Sequence, residues 1–203
     1  YDPGTVAENW TELSTSKDSI LLNRAMQGFF PPGSIFKTVT LLEYLREHNM
    51  NAAFSFNCTG SVSVGNSSIS CYHGNAHGKL DLEEAFAESC NSAFAEIGRD
   101  LDVEEFQGLA SQLLFNSDLP LSFPYSKSSF SLKEDDTDAI KMMTAIGQGD
   151  TLVTPMHMAM LVSAIANDGV LMGPRFLDRT ENYTGQLVER YSTETYGALM
   201  TQE

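Results

Sequence analysis

The sequence lacks the long apolar runs and the clustered basic residues that mark membrane-spanning and nucleic-acid-binding proteins. No apolar run reaches 18 residues, so no membrane-spanning helix is predicted within the 203 residues. Only 12 Lys and Arg residues stand against 27 Asp and Glu residues, and the formal net charge is −15. Because neutralising phosphates requires clustered Lys and Arg, nucleic acid is not an expected partner. Acidic stretches such as Glu134-Asp135-Asp136 are typical of a solvated surface and indicate no substrate.

The most informative stretch of the chain is Pro31-Pro32-Gly33-Ser34-Ile35-Phe36-Lys37, which places a serine and a lysine three residues apart. Pro-Pro-Gly does not continue a helix backwards, so a helix is predicted to begin at Ser34. The hydroxyl of Ser34 and the amine of Lys37 then lie on one helix face, within reach of proton exchange. Unpaired N–H groups at the helix start suit an oxyanion. Apolar neighbours, Ile35 among them, are expected to bury Lys37 and favour the neutral amine of a general base. The alternative is that Ser34 merely caps the helix.

A second motif, Ser89-Cys90-Asn91, lies downstream. Asp81 is a predicted helix cap with Glu84 three residues later, so a helix should run from there towards the motif. A break at the motif and a further helix towards Asp100 would expose its side chains at a helix junction. The competing interpretation is an ordinary helix break with a local capping bond. Cys90 is interpreted as a small buried thiol that needs no role.

Two further motifs follow, Ile146-Gly147-Gln148-Gly149 and Val153-Thr154-Pro155. In order and spacing, these motifs together with Ser34-x-x-Lys37 and Ser89-Cys90-Asn91 resemble the transpeptidase domain of penicillin-binding proteins. The approach to the nucleophile, from Tyr1-Asp2-Pro3 to Leu22-Asn23-Arg24-Ala25, is similar to that of the high-molecular-weight class B members. The resemblance extends from residue 1 to about residue 170.

This resemblance implies a role for each matching residue. Ser34 is expected to attack a carbonyl and form an acyl-enzyme, while Lys37 accepts its proton. Ser89 is expected to pass a proton to the leaving amine, and Asn91 to hold Lys37 in place. The substrate-binding residues implied by the resemblance are Asn91, Gly147, Gln148 and Gly149. Neither a cofactor nor a metal is expected.

One part of the family pattern is absent from the sequence. The third motif, Lys-Thr-Gly or Lys-Ser-Gly, does not occur, and Lys127-Ser128-Ser129 lacks the glycine. In the family this motif follows a helix, which we predict near Thr193 to Met200. We therefore expect residues 1–203 to be a partial transpeptidase domain, an internal piece of a larger protein, with impaired activity on its own.

The predicted fold class is α+β and largely helical. It is expected to be part of the serine β-lactamase/DD-transpeptidase fold, an antiparallel sheet flanked by helices, with sheet strands missing at both ends. Short strands and turns are predicted over residues 54–79. The remaining helices are predicted over Ser34–His48, 103–115, Asp138–Ile146 and Thr154–Asn167. The last of these is apolar nearly all round, so it is expected to be a buried central helix.

The function implied by the resemblance is a peptidoglycan D-alanyl-D-alanine transpeptidase that cross-links cell walls and is acylated by β-lactams. Stem peptides of peptidoglycan and β-lactam antibiotics are then the expected partners, and other cell-wall synthesis proteins are possible ones. The expected location is the extracytoplasmic face of a bacterial membrane, with an anchor upstream in the parent protein and this chain itself soluble. Two alternatives stay open, namely a serine β-lactamase and a non-enzymatic β-lactam sensor.

Cysteine and histidine residues between the two catalytic motifs allow three interpretations. Cys58 and Cys71 close a short Gly/Ser-rich segment, and a disulfide between them is the favoured one. Reduced free thiols are the second interpretation. A zinc site made by Cys58, Cys71, His73 and His77 is the least favoured one, because the spacing is too long for a zinc knuckle and no helix is evident to present the histidines. His48 and His157 are expected on the surface.

Overall fold

Residues 2–50 and 53–201 are described by the structure, which is a computed structural model. Within these residues the α-helices are α1 (Trp10–Thr15), α2 (Arg24–Gln27), α3 (Lys37–Glu47), α4 (Leu82–Ala87), α5 (Asn91–Asp100), α6 (Val103–Gln112), α7 (Asp138–Ala145) and α8 (Pro155–Ala166). Short 3-10 helices span Pro3–Thr5, Gly33–Phe36 and Tyr72–Gly74. The α+β class predicted from the sequence is confirmed.

The strands form antiparallel pairs. They are β1 (Phe56–Cys58), β2 (Ser61–Val64), β3 (Ser67–Ser70), β4 (Gly78–Leu80), β5 (Val170–Met172), β6 (Arg179–Glu181), β7 (Leu187–Arg190) and β8 (Thr195–Ala198). Strand β1 pairs with β4, and the hairpin of β2 and β3 lies between them along the chain. Strand β5 pairs with β8, and β6 with β7. The predicted strands and turns over residues 54–79 are therefore confirmed.

Helix starts agree closely with the sequence prediction where a capping residue fixes them. Asp81 accepts a hydrogen bond from the backbone N–H of Glu84, whose side chain accepts in return from the N–H of Asp81, and α4 begins at Leu82. Thr154 caps α8 with a single bond, in which its hydroxyl oxygen accepts from the backbone N–H of His157. These bonds satisfy N–H groups that the helix itself leaves unpaired.

Helices α3, α5 and α7 form the centre of the fold. Gly98 of α5 lies directly against Ala145 of α7, so closely that a side chain on Gly98 would overlap the Ala145 methyl group. The hydroxyl of Thr40 on α3 donates to the carbonyl oxygen of Ala145 at 2.7 Å. Phe36, at the end of the 3-10 helix before α3, is fully buried among the rings of Phe106, Phe115 and Phe130. The start of α3 is thus anchored firmly in the core.

Three predictions about local structure are wrong. The segment near Thr193 to Met200 contains strand β8 and no helix, because its backbone pairs with β5. Helix α8 is buried on one face only, and Val162 on the other face is 54% exposed. His157 lies inside the fold at 1% exposure, where its Nε2 atom is 2.8 Å from the carbonyl oxygen of Leu113.

Within the described residues, no helix combines the length and the apolar character needed to cross a membrane.

Candidate active site

The 3-10 turn Gly33–Phe36 leads straight into α3 and positions Ser34 and Lys37. Ser34 is exposed, while Lys37 is 1% exposed, and its Nζ atom lies 3.5 Å from Ser34 Oγ. The spacing of three residues therefore brings the hydroxyl and the amine together, as the sequence predicts. The expectation for Ile35 is wrong, since its side chain is 54% exposed and does not help to bury Lys37.

The second motif meets Lys37 through three oxygen atoms. Lys37 Nζ lies 2.6 Å from the carbonyl oxygen of Ser89, 3.0 Å from Ser89 Oγ and 2.6 Å from Asn91 Oδ1. The amide of Asn91 is oriented by its own donor, since Nδ2 donates to the carbonyl oxygen of Ser70 at 2.9 Å. Asn91 thus links Lys37 to the end of strand β3.

A tight turn between α4 and α5 presents this motif. Ser89 has a φ of 48°, in the left-handed region that residues other than glycine seldom adopt. The Cys90 backbone N–H donates to the carbonyl oxygen of Ala85, and the Cys90 Sγ atom accepts from the N–H of Ala93 as the cap of α5. Both flanking helices therefore hold the turn, and the predicted helix junction is confirmed.

Burial lowers the pKa of Lys37 from 10.5 to about 8. The positive amine loses water in the interior, and the Phe94 ring, itself fully buried, lies 5.7 Å from Nζ. A pKa near 8 gives an appreciable fraction of neutral amine at neutral pH, which is the form that can accept a proton.

The neutral amine of Lys37 has two hydrogens and one lone pair, and different neighbouring atoms interact with each. Asn91 Oδ1 and the carbonyl oxygen of Ser89 can only accept hydrogen bonds, and each lies 2.6 Å from Lys37 Nζ. These two acceptors take both hydrogens of the neutral amine. Its lone pair is then left for the remaining neighbours, the hydroxyls of Ser34 and Ser89. The site can therefore move a proton between two serines through one lysine.

The Gly147-Gln148-Gly149 segment supports the turn that carries Ser34. Gly147 is buried and accepts a backbone hydrogen bond from Gly33 at 2.8 Å. A side chain on Gly147 would overlap the carbonyl oxygen of Gly33. Gln148 and Gly149 are exposed, and Gly149 lines a different cavity, beside Asp136. The substrate-binding role of these three residues stays a prediction.

A cavity of about 520 Å³ opens beside the proposed nucleophile. Its polar groups come from Ser34, Lys37, Thr38 and Ser89, and its apolar wall comes from Phe86 and from residues of α8. The cavity is large enough for a small acyl donor, and three of the four catalytic candidates, Ser34, Lys37 and Ser89, line it together.

The predicted disulfide is not formed in the structure. Cys58 and Cys71 are buried free thiols whose Sγ atoms lie 3.7 Å apart, well beyond a disulfide bond length of about 2.05 Å. Cys90, for which the sequence predicts no role, lies equally close, with its Sγ atom 3.7 Å from that of Cys71. His77 joins this group through Nδ1, while His73 is exposed. Spacing could not reveal Cys90, because only the fold brings α5 to these loops.

A scan of family models matches residues 2–199 to the penicillin binding protein transpeptidase domain. The chain belongs to this family. Among curated relatives, the peptidoglycan D,D-transpeptidase PbpA of Mycolicibacterium smegmatis is 30% identical over 187 residues. That match covers 88% of the chain and 37% of PbpA, so the chain spans little more than a third of the length of this relative.

Solved penicillin-binding proteins share the fold. The D,D-transpeptidase domain of a peptidoglycan glycosyltransferase from Eggerthella lenta is 26% identical, with a TM-score of 0.87, over 100% of this chain and 52% of that one. Penicillin-binding protein A from M. tuberculosis, solved as its imipenem acyl-enzyme complex, is 24% identical with a TM-score of 0.83, over 100% of this chain and 47% of that one. The predicted transpeptidase fold is therefore confirmed.

Proposed function

We propose that this chain is part of a peptidoglycan D,D-transpeptidase domain that acts through an acyl-enzyme on Ser34. The observation that carries the proposal is the contact of one buried amine, Lys37, with Ser34, Ser89 and Asn91. Ser34 and Ser89 are both exposed at the cavity, and Ser34, which lies three residues before Lys37 at the start of the helical turn, is the hydroxyl proposed to attack the substrate carbonyl.

In acylation, neutral Lys37 takes the proton of Ser34 as the hydroxyl oxygen attacks the substrate carbonyl. The distance of 3.5 Å between Nζ and Oγ has to shorten as substrate binds. The backbone N–H of Ser34, at the start of the helical turn, is proposed as one oxyanion donor. Asn91 keeps the lysine in place by accepting one of its hydrogens.

Ser89 completes the proton path. Its Oγ atom lies 3.0 Å from Lys37 Nζ, so it can accept a proton from the lysine and donate its own to the leaving amine. The hydroxyl serves as both donor and acceptor, which is what a relay between two nitrogens needs. The free amine then leaves, and a second amine reverses the sequence to complete the transfer.

The substrate class proposed for this chain follows its relatives. PbpA of M. smegmatis is named a peptidoglycan D,D-transpeptidase, and penicillin-binding protein A of M. tuberculosis forms an acyl-enzyme with imipenem. We propose stem peptides as acyl donors and β-lactams as acylating inhibitors. We also propose an extracytoplasmic location, where peptidoglycan lies, and membrane anchoring of the parent protein.

Acylation of this chain by penicillin should be slow, because its sequence contains no Lys-Thr-Gly or Lys-Ser-Gly. In the family, the strand that carries this motif provides the second oxyanion donor. Loss of one such donor lowers the rate by a factor on the order of 10²–10³. Intact mass after incubation with penicillin, followed by peptide mapping, is the test. A longer version of the protein that carries the strand should be labelled on Ser34 faster by at least this factor.

Control experiments test separately that the adduct forms on Ser34 and that the missing motif slows acylation. Ser34→Ala should remove the adduct, while Ser163→Ala, which changes an exposed hydroxyl on α8, should leave it unchanged. Equal labelling rates with and without the strand would contradict the slow acylation. A longer version that stays unlabelled, or an adduct elsewhere than on Ser34, would overturn the transpeptidase assignment.

The acylation rate should depend on pH through Lys37. Its pKa of about 8 means that the neutral amine, the reactive form, becomes scarcer as pH falls below this value. The rate should therefore be about a hundredfold lower at about pH 6 than on the plateau above pH 8. Acylation rate constants measured from pH 6 to pH 10 check this. A rate that still rises steeply near pH 10 would mean that burial does not lower the lysine pKa.

A further inference from the structure

A buried hydrogen bond joins the helix that begins at Lys37 to the end of a neighbouring helix. The Thr40 hydroxyl of α3 donates to the carbonyl oxygen of Ala145, the last residue of α7, at 2.7 Å. Both residues are fully buried, so water does not compete for this bond. Thr40 follows Lys37 by three residues, and side chains at this spacing lie on one face of a helix. The hydroxyl is therefore about one turn beyond the buried lysine, on the same face.

The end of α7 needs this donor. Gly147, with φ of 73°, closes the helix in a Schellman motif. Its N–H donates to the carbonyl oxygen of Thr144, and the N–H of the next residue donates to that of Met143, both at 2.9 Å. These bonds leave the carbonyl oxygen of Ala145 without a partner inside the helix. Because a buried carbonyl oxygen without a donor is costly, the Thr40 hydroxyl completes the cap.

Two hydrogen bonds to this helix end bracket the proposed nucleophile and base. The N–H of Gly33, one residue before Ser34, donates to the carbonyl oxygen of Gly147 at 2.8 Å. The Thr40 hydroxyl makes the second bond, three residues after Lys37. The segment that carries Ser34 and Lys37 is thus held at both ends against the same part of the fold.

Ala145 also contacts the helix that begins at the second motif. Its methyl group lies directly against Gly98 of α5, where a side chain would overlap it. Asn91 is the first residue of α5, and its Oδ1 atom lies 2.6 Å from Lys37 Nζ. Ala145 therefore contacts α3 through its carbonyl oxygen and α5 through its methyl group. The distance between Lys37 and Asn91 depends on both contacts.

We propose that Thr40 is a positioning residue, whose hydroxyl fixes α3 along α7 and so sets how closely Lys37 approaches the second motif. This assignment rests on the proposed acyl transfer by Ser34, and it adds a residue that acts only through Lys37. Phe36 anchors the start of α3 by packing among other rings. Apolar packing is not directional, whereas a hydrogen bond requires a particular distance and angle. The Thr40 hydroxyl therefore fixes the position of α3 more narrowly than the packing does.

Loss of the hydroxyl should let α3 move away from α7, because the Ala145 carbonyl oxygen would need water or another donor. The Lys37 amine would then gain contact with water, and its pKa, which burial lowers to about 8, should rise towards the ordinary value of 10.5. A pKa higher by about 1 lowers the neutral fraction of the amine about tenfold at neutral pH. A misplacement of about 1 Å can lower the rate about a hundredfold. We therefore expect acylation at neutral pH to slow by on the order of 10–100-fold.

The first test is the titration of Lys37 in the full chain, followed by NMR of its labelled ε-carbon, which does not depend on activity. Thr40→Val replaces the hydroxyl by a methyl group and keeps the shape of the side chain. We expect the titration midpoint of Lys37 to move upward in this variant. A threonine with a merely structural role would lower stability and leave the midpoint in place. An unchanged midpoint in folded Thr40→Val would therefore overturn the proposal.

Thr151→Val is the matched control. Thr151 is also buried, at 1% exposure, but its hydroxyl has no hydrogen-bond partner among the residues that the structure describes. The same substitution there should leave the Lys37 midpoint and the acylation rate unchanged. Equal upward shifts of the midpoint in the two variants would overturn the specific role of Thr40.

Thr40→Ser keeps the proposal testable even if Thr40→Val does not fold. Serine retains the hydroxyl, so it should donate to the Ala145 carbonyl oxygen and keep the Lys37 midpoint near that of the unmodified chain. A midpoint displaced upward in folded Thr40→Ser would contradict a role that depends on the hydroxyl.

Acylation rates distinguish failure of this proposal from failure of the proposed function. In the longer version described above, penicillin should label Ser34 more slowly in Thr40→Val and at the unmodified rate in Thr40→Ser. An unmodified protein that is not labelled would overturn the proposed function, while the Lys37 titration would still decide the role of Thr40. A labelled protein whose rate does not change in Thr40→Val would overturn the role of Thr40 alone.

Discussion

Replacing Lys37 by methionine is expected to slow acylation of Ser34 by on the order of 10²–10⁴-fold, which is the usual contribution of a general base. Methionine is similar in length to the apolar stem of the lysine side chain but has no amine to accept the proton. The measurement is the rate constant for penicillin adduct formation, followed by intact mass on the longer version described above.

Lys37→Arg distinguishes a base from a positive charge. Arginine keeps the charge and the hydrogen-bond donors facing Ser89 and Asn91, but it cannot be deprotonated at any workable pH. We expect this variant to be as slow as Lys37→Met. An arginine variant within about tenfold of the unmodified protein would contradict general-base catalysis by Lys37.

The matched control for this pair is Lys127→Met. Lys127 is an exposed lysine that forms an ion pair with Asp118 at 2.9 Å, away from the cavity beside Ser34. Exposed pairs of this kind contribute little to stability, so neither folding nor acylation should change measurably. Thermal unfolding of all three variants establishes whether a slow rate reflects chemistry or loss of the fold.

Gly147→Ala is expected to lower the free energy of unfolding by about 3–5 kcal/mol, a value typical of mutations that disrupt the core or strain the backbone. Gly147 has φ of 73°, and a Cβ atom there would lie 2.8 Å from the Gly33 nitrogen and overlap the Gly33 carbonyl oxygen. The backbone around Ser34 must then move, so acylation should slow as well. Urea unfolding and adduct formation measure the two effects.

Gly149→Ala is the control, because it has the same backbone strain without the overlap. Gly149 has φ of 79°, and the nearest atom to its added Cβ would be Thr144 Oγ1 at 3.7 Å. A non-glycine residue in the left-handed region costs about 1–2 kcal/mol. Similar unfolding free energies for the two variants would mean that the Gly33–Gly147 contact does not hold the nucleophile turn.

Secondary structure followed from the sequence where a local signal was decisive. The exchange of hydrogen bonds between Asp81 and Glu84 starts α4, and Thr154 with Pro155 starts α8. The helix predicted from local preference near Thr193 to Met200 was wrong, because the backbone of β8 forms hydrogen bonds with β5 instead of within a helix. The prediction that α8 is fully buried was also wrong, because a sequence that is apolar on all sides does not indicate which face is covered.

The closeness of Ser34 and Lys37 follows from their spacing alone, since three residues make nearly one helical turn. The order of the motifs, which is visible along the chain, is enough to indicate its family. The contact of Ser89 and Asn91, more than fifty residues further along, with the same amine depends on the three-dimensional fold. The fold likewise brings Cys90 to Cys58, Cys71 and His77, and it buries His157. Hydrogen bonds within a helix act between near neighbours, whereas the position of one helix against another depends on the packing of the whole core.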